Sequence, residues 1–170
     1  MFKRSSAYFK TCLILITSLI CNNAISQKNC QTNENYSELQ ISNTLNDFYT
    51  AYFNLQSDPY PLKKQIQKVD SLLERYCTKE FLNFYKNIQG PEELDWDPFL
   101  DANYIEIEFL KTMKISKDKE KNDLYYVSYI KKYNNEATTI ELTIIKEKEV
   151  YKINSLPQLT RHIDFVRSHK

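Results

Sequence analysis

Glycine is almost absent from this chain: Gly90 is the only glycine among 170 residues. Loops that cradle phosphate groups, and the fingerprint that binds dinucleotides, need several glycines because the backbone must come close to the ligand. Both motifs are therefore excluded. The sequence predicts no cofactor.

Histidine is also scarce, with only His162 and His169, both near the C-terminal end. A histidine that acts as a general base or binds zinc needs neighbours held in a rigid pocket. Residues 157–170 are expected to form a tail that is either a short helix or the least ordered part of the chain. Both histidines are interpreted as solvated side chains, and no catalytic residue or metal site is predicted.

A hydrophobic run long enough to cross a membrane is missing. The longest apolar stretch, 12–21, has about ten residues, whereas a spanning helix needs ~20. Basic residues precede it and small residues follow it before Gln27, which is typical of a secretory signal peptide over 1–26. The mature protein is thus predicted to be periplasmic or secreted, without a transmembrane anchor. The alternative is an outer-membrane lipoprotein acylated at Cys21.

Neither sign of charge is in large excess. Without residues 1–26 the chain has 20 Lys and Arg against 22 Asp and Glu, which gives a formal net charge of −2. Proteins that bind nucleic acid through electrostatics carry a clear basic surplus. Nucleic acid is therefore not an expected partner.

Cysteine is limited to four residues, of which Cys30 and Cys77 remain in the predicted mature chain. An oxidising compartment would allow a disulfide between them. Two unpaired thiols are the alternative, because the sequence does not show whether the two Cβ atoms meet.

Helical patterns come first in the chain and strand patterns follow. Apolar residues recur every three or four positions from Ser42, from Pro61 and from Thr78, which predicts three helices. The second helix is expected to bury Leu62, Ile66, Val69 and Leu73. Alternating and β-branched residues then predict four strands joined by short turns, over 105–115, 124–133, 138–145 and 150–153.

This order predicts an α+β fold, with three N-terminal helices packed on a curved antiparallel sheet of about four strands. The chain is expected to divide into a signal peptide, a flexible leader, one domain and a tail, at 1–26, 27–39, 40–156 and 157–170.

A short acidic and aromatic segment before the strands is the main candidate site. Asp95, Asp97 and Asp101 supply oxygen atoms for a cation or a carboxylate for acid and base chemistry, and Trp96 supplies a contact surface. The segment lacks the glycine and the closing glutamate of a calcium loop, so no metal is assigned. The structural alternative is that its aromatic residues are buried while its aspartates accept backbone hydrogen bonds.

Tyrosine is abundant, with 13 residues, and tyrosine is favoured at recognition surfaces. Tyr125 and Tyr129 share one face of a predicted strand and are candidate binding residues. Ordinary packing of a half-buried strand is the alternative.

Three strings resemble those of an uncharacterised family of exported bacterial proteins, the domain-of-unknown-function family numbered 3828. They are Phe48-Tyr49-Thr50-Ala51-Tyr52, residues 73–82 from Leu73 to Leu82, and residues 94–102 from Leu94 to Ala102. The resemblance covers roughly residues 40–155. It implies a fold similar to nuclear transport factor 2, a cystatin-like cone in which a curved sheet wraps around helices. It implies no activity and no catalytic residues.

Export, a single small domain and missing catalytic groups together favour a non-enzymatic binding module. Its expected partner is a protein or a small ligand in the cell envelope, and an inhibitor or immunity protein is one specific version. Two alternatives are a structural envelope protein and a small cone-fold enzyme that uses an aspartate of the 95–101 segment.

Overall fold

The computed structural model describes residues 35–57, 61–88, 96–103, 107–132 and 134–168. The chain divides into two compact units, Met1–Leu39 and Gln40–Lys170. In the first unit, residues 35–39 are helical, although the sequence placed them in a flexible leader. The second unit contains the core and the candidate site.

The second unit is an α+β domain whose sheet is antiparallel with the strand order β1-β2-β3-β4. The predicted α+β class and four-strand antiparallel sheet are confirmed. In the described ranges the elements are α1 (40–57), α2 (Leu62–Tyr76), α3 (Lys79–Ile88), α4 (Phe109–Thr112), β1 (Lys114–Lys117), β2 (Leu124–Lys131), β3 (Glu136–Glu147), β4 (Val150–Ser155) and α5 (Pro157–Ser168).

Helix α1 carries the aromatic stripe that the sequence predicted to face the core. The stripe is buried, and its members are Leu45, Phe48, Tyr49, Tyr52 and Phe53. Its spacing of three and four residues puts all five on one helical face. The ring of Phe53 meets that of Tyr129 on β2 edge to face at 6.3 Å. Helix α1 is therefore anchored to the sheet through aromatic contacts.

Helix α2 packs differently from the prediction. Leu62 and Ile66, which were expected to be buried, are 72% and 52% exposed, whereas Leu73 is buried. The helix contacts α3 and β4, and Cys77 directly after it pairs with Ile153 of β4. The C-terminal half of α2 is thus held against the sheet while its first turns remain at the surface.

Helix α3 begins as predicted, with Thr78 as its N-cap. The backbone N–H of Phe81 donates to Thr78 Oγ1 at 3.2 Å, which satisfies one of the free donors of the first turn. The N–H of Thr78 donates to the carbonyl of Ile153 at 2.8 Å, so the cap also joins the helix to β4. The predicted inward residues are buried: Phe81, Leu82, Tyr85 and Ile88.

The first predicted strand is wrong over 107–112. Residues 107–108 form a turn and Phe109 begins α4, because the ring of Phe109 stacks on that of Tyr129 at 4.6 Å inside the domain. Thr112 Oγ1 then accepts the N–H of Ile130 at 3.0 Å, a position of β2 that lies beyond the pairing with β1. At this position the side chain of Thr112, rather than the backbone of a longer β1, accepts the hydrogen bond from β2.

The C-terminal segment is an ordered helix. Leu159 and Ile163 of α5 are buried, and the helix packs against β3. Their spacing of four residues puts both on one face, which gives α5 an apolar stripe of its own. None of the helices that the structure describes is long and apolar enough to cross a membrane.

Candidate functional site

The loop 96–103 is a narrow turn closed by its own backbone. The N–H of Asp97 donates to the carbonyl of Ala102 at 2.9 Å, and the N–H of Ala102 donates back to that of Asp97 at 3.4 Å. Asp101, directly before the closing pair, has φ 46°, a left-handed conformation that aspartate tolerates better than most residues. The short acidic string therefore forms a defined turn.

The inner side of this loop is pinned into the aromatic core. Phe99 and Leu100 are both fully buried. The ring of Phe99 lies 5.4 Å from that of Phe48 and 5.5 Å from that of Tyr85, measured between centroids. Contacts of this kind add about 0.5–1.5 kcal/mol each beyond the burial of area. Phe99 therefore sets the position of the whole loop on the helices.

Asp97 points its carboxylate toward protein groups. Tyr52 donates its hydroxyl to Oδ2 at 2.7 Å, and the N–H of Phe99 donates to Oδ1 at 2.8 Å. Burial raises the pKa of Asp97 from 3.8 to about 6, although the bonds from Tyr52, Phe99 and Leu100 act in the opposite direction. The carboxylate thus fastens the loop to α1 and stays charged near neutral pH despite its burial.

Tyr49 lies on α1 one helical turn before Tyr52, whose hydroxyl binds Asp97. Its hydroxyl is buried and has no hydrogen-bond partner within the part of the chain that the structure describes. Burial, followed by the charge of Asp97, raises the pKa of Tyr49 well above 10.0. On folding, the hydroxyl of Tyr49 therefore loses its hydrogen bonds to water and gains none from the described residues in exchange.

Removal of that hydroxyl is expected to stabilise the protein. A buried hydroxyl without a partner costs about 1–3 kcal/mol, so Tyr49→Phe is expected to raise the free energy of unfolding by about 1 kcal/mol. Urea unfolding followed by circular dichroism measures this change. The same substitution at Tyr52, which donates to Asp97, is expected to lower it. A loss of stability in Tyr49→Phe would show that the hydroxyl is hydrogen-bonded.

The outer side of the loop forms a cleft with α5. The cleft has a volume of about 340 Å³ and is lined by Trp96, Asp101, Asn103, Gln158 and His162. The rings of Trp96 and His162 meet edge to face, with centroids 5.6 Å apart and an interplanar angle of 87°. Its size is within the range of ~300–1,000 Å³ that small-molecule sites occupy.

Gln158 in the lining of this cleft is held in place by two hydrogen bonds. Its Oε1 accepts the N–H of Glu141 from β3 at 2.9 Å, and its Nε2 donates to the carbonyl of Pro98 at 3.5 Å. The amide thereby joins the sheet, α5 and the loop. A primary amide has two N–H donors and two acceptor lone pairs, so these bonds leave one donor and one lone pair for a ligand.

Charges of both signs surround the cleft. Asp101 lines it, and Lys131 on β2 donates its ammonium to the carbonyl of Asp101 at 2.7 Å. On α5, Arg161 forms an ion pair with Glu141 at 3.0 Å. The surroundings of the cleft are therefore close to electrically balanced.

The predicted site residues separate into two groups. Trp96 and Asp101 line the cleft, whereas Asp97 faces inward. Tyr125 and Tyr129 are 1% and 2% exposed and belong to the core, which is the packing alternative. Tyr129 donates its hydroxyl to the carbonyl of Leu100 and so attaches the loop to β2. Asp95 lies outside the described residues.

Three lining residues were not singled out as binding residues from the sequence. Asn103 is the last residue of the described segment 96–103, while Gln158 and His162 lie one turn apart on α5. The sequence feature that could have indicated Gln158 and His162 is the apolar pair Leu159 and Ile163. Their spacing predicts an amphipathic helix and places Gln158 and His162 together on an adjacent face. This feature was not used because residues 157–170 were expected to form a tail, in which His162 would be an isolated side chain.

Cys77 is a buried, free thiol among the described residues, and burial raises its pKa to about 12. Such a thiol is a poor nucleophile, because the thiolate is the reactive form. Cys30 lies outside the described residues, so the disulfide stays a prediction. No group of three His, Cys, Asp or Glu residues that could hold a metal ion occurs in the described ranges.

Comparison with protein-family models and with curated proteins gives no match. A solved structure of similar fold is the crystal structure of a protein of unknown function from Bacteroides thetaiotaomicron VPI-5482. The two align with a TM-score of 0.60 over 72% of this chain and 93% of the other, at 20% sequence identity. At this identity the similarity concerns the fold alone.

Proposed function

We propose that this protein is a non-enzymatic binding protein whose ligand site is the cleft between the loop 96–103 and α5. The observation that carries the proposal is the convergence of five side chains from two separate elements on one cleft of about 340 Å³. Concave sites with a few placed polar groups are the usual form of a small-ligand site. In this cleft the side chain of Gln158 is already held in place by its bonds to Glu141 and Pro98.

The setting of this activity is proposed to be the periplasm or the exterior of the cell. The basic, apolar and small residues of 1–26 support export by a signal peptide. An outer-membrane lipoprotein acylated at Cys21, acting as a structural envelope component, is the alternative. An inhibitor or immunity protein would use the same cleft to hold a segment of its protein partner.

The fold is proposed to be of the nuclear transport factor 2 type, as the resemblance to the domain-of-unknown-function family numbered 3828 implies. Support comes from helices α1 to α3 preceding an antiparallel sheet of sequential strands. Phe53 of α1 contacts Tyr129 of β2 edge to face in this arrangement. Folds of this kind carry many functions, so the cleft rather than the fold supports the proposed activity.

An enzyme that uses Asp97 as its base is the second candidate, because the pKa of Asp97 is raised to about 6. A base with such a pKa is suited to work near neutral pH. However, its two carboxylate oxygens already accept bonds from Tyr52 and from the N–H of Phe99. Those contacts favour a role in holding the loop in place.

Trp96 makes a direct test possible, because it is the only tryptophan in the chain. Tryptophan fluorescence, excited selectively over tyrosine, therefore reports on the cleft alone. Titration with a library of small polar fragments is expected to give saturable changes of intensity. In His162→Ala those changes are expected to weaken by about tenfold in affinity, because one wall of the cleft is lost.

The control is Ser71→Ala on α2, since Ser71 lines a different cleft. It is expected to leave the titrations unchanged. If no fragment changes the fluorescence of Trp96, or if Ser71→Ala and His162→Ala weaken binding equally, the cleft is not the ligand site. Conversion of a bound fragment into a product would favour the enzyme.

A further inference from the structure

We infer that the cleft is built for a neutral carbohydrate, such as one end of a glycan chain. This inference rests on the proposed function and specifies its ligand class. It is drawn from the chemistry of the lining side chains, from their spare hydrogen-bonding capacity and from the charges around them.

The first argument concerns the aromatic wall. A sugar ring presents C–H groups on its two faces and hydroxyls around its edge, so it packs one face on an aromatic ring. Trp96 is half-buried and lines the cleft, and its contact with His162 is edge to face. A perpendicular contact of this kind restrains the orientation of the indole, and the indole is the aromatic group of the lining against which a sugar face would pack.

The second argument concerns the polar groups. Each sugar hydroxyl is one donor and an acceptor, and it is best served by side chains that offer both functions in a plane. Asn103 and Gln158 are amides with donors and acceptors, Asp101 is an acceptor, and His162 supplies ring nitrogens. Gln158 retains one N–H and one lone pair after its bonds to Glu141 and Pro98. Every polar side chain of the cleft can therefore meet a hydroxyl.

The third argument concerns charge. The carboxylate of Asp101 lines the cleft and disfavours an anionic ligand. The ammonium of Lys131, which is bonded to the carbonyl of Asp101, offsets part of the attraction that this carboxylate exerts on a cationic ligand. Arg161 is engaged by Glu141. Because the charges around the cleft nearly cancel, the cleft offers no strong net attraction to a ligand of either charge, whereas a neutral ligand needs none.

The experiment compares neutral trisaccharides with small compounds that carry one charge. Maltotriose, cellotriose and tri-N-acetylchitotriose are titrated while the fluorescence of Trp96 is recorded. N-acetyllysine amide, a cation, and N-acetylglutamic acid amide, an anion, are titrated in parallel. At least one trisaccharide is expected to saturate the signal, and the two amides are expected to leave it unchanged. Isothermal titration calorimetry gives the affinity independently of the fluorophore.

Variants connect the signal to the cleft. Asn103→Ala removes an amide from an exposed position and is expected to weaken trisaccharide binding by about three- to tenfold. Trp96→Ala, followed by calorimetry, is expected to weaken it by at least about tenfold. Asn83→Ala on α3, where the asparagine is also exposed, is the matched control and is expected to bind as the unchanged protein does.

The outcomes separate this inference from the proposed function. Binding of fragments or amides at the cleft, without binding of any of the three trisaccharides, overturns the carbohydrate assignment and leaves the binding function standing. No response of Trp96 to any probe, fragments included, overturns both. Trisaccharide binding that Asn103→Ala and Asn83→Ala reduce equally places the sugar elsewhere and also overturns the assignment.

Discussion

Replacing Phe99 by alanine is expected to lower the free energy of unfolding by about 4 kcal/mol, because a fully buried phenyl ring leaves a cavity in the core. The ring contacts aromatic residues of both α1 and α3, including Phe48 and Tyr85. Urea unfolding measures the loss. Since Phe99 positions the loop, the variant is also expected to lose ligand binding at Trp96.

Two companion variants make this prediction specific. Phe99→Leu keeps most of the apolar volume and is expected to cost only about 1.5 kcal/mol and to retain a folded loop. Phe165→Ala on α5 removes an aromatic ring that is 62% exposed, and a change within about 0.5 kcal/mol is expected. If Phe99→Ala costs no more than Phe165→Ala, the loop is not anchored through this ring.

The second large effect is a pH dependence that arises from Asp97. Its pKa rises from 3.8 to about 6 on folding because the carboxyl is buried. The folded protein therefore holds this proton more tightly than the unfolded chain does. The contribution of Asp97 to stability is then most favourable below about pH 4, falls as the pH rises to about 6, and stays constant above about pH 7.

Comparison with Asp97→Asn isolates this effect, since asparagine keeps the shape and a carbonyl acceptor for Tyr52 but does not titrate. Between about pH 4 and pH 7 the free energy of unfolding of the unchanged protein is expected to fall, relative to that of the variant, by at most about 3 kcal/mol. Chemical unfolding at a series of pH values measures the difference. Tyr49 and Tyr52 do not interfere, because burial raises both of their pKa values well above 10.0.

Asn103→Ala provides the control, because it changes the same loop without changing a titratable group. Its difference in stability from the unchanged protein is expected to be independent of pH. A flat difference for Asp97→Asn would mean that the hydrogen bonds from Tyr52 and Phe99 fully offset the burial of the carboxyl, and a change in the opposite direction would mean that they outweigh it. Either result contradicts the predicted pH dependence.

The helices and the sheet were predictable from the sequence where one local pattern decides the outcome. The stripe on α1 and the cap at Thr78 are such cases, because helical periodicity and a side-chain cap act within a few residues. The burial of Leu62 and Ile66 was not predictable, because it depends on how much of α2 the sheet covers. The alternating pattern around Phe109 wrongly predicted a strand for a related reason. The ring on which Phe109 stacks belongs to Tyr129, which is twenty residues away in the chain.

The candidate site was predictable only in part. The string around Trp96 and Asp97 marked the loop, but its two sides have opposite roles, and only the fold shows which aspartate faces inward. Gln158 and His162 reach the cleft because α5 packs back on β3, a contact between distant segments. Residues that come together only through such a contact show no regular spacing in the sequence.

Chemical-shift mapping on isotope-labelled protein tests the central claim most directly. Polar fragments and the three neutral trisaccharides are added separately, and the amide and side-chain signals are followed residue by residue. We expect the largest shifts at the indole N–H of Trp96 and at Asn103 and His162, with signals of Ser71 on α2 unchanged. Largest shifts on α2, or no shifts around the loop 96–103 with any compound, would contradict a ligand site between this loop and α5.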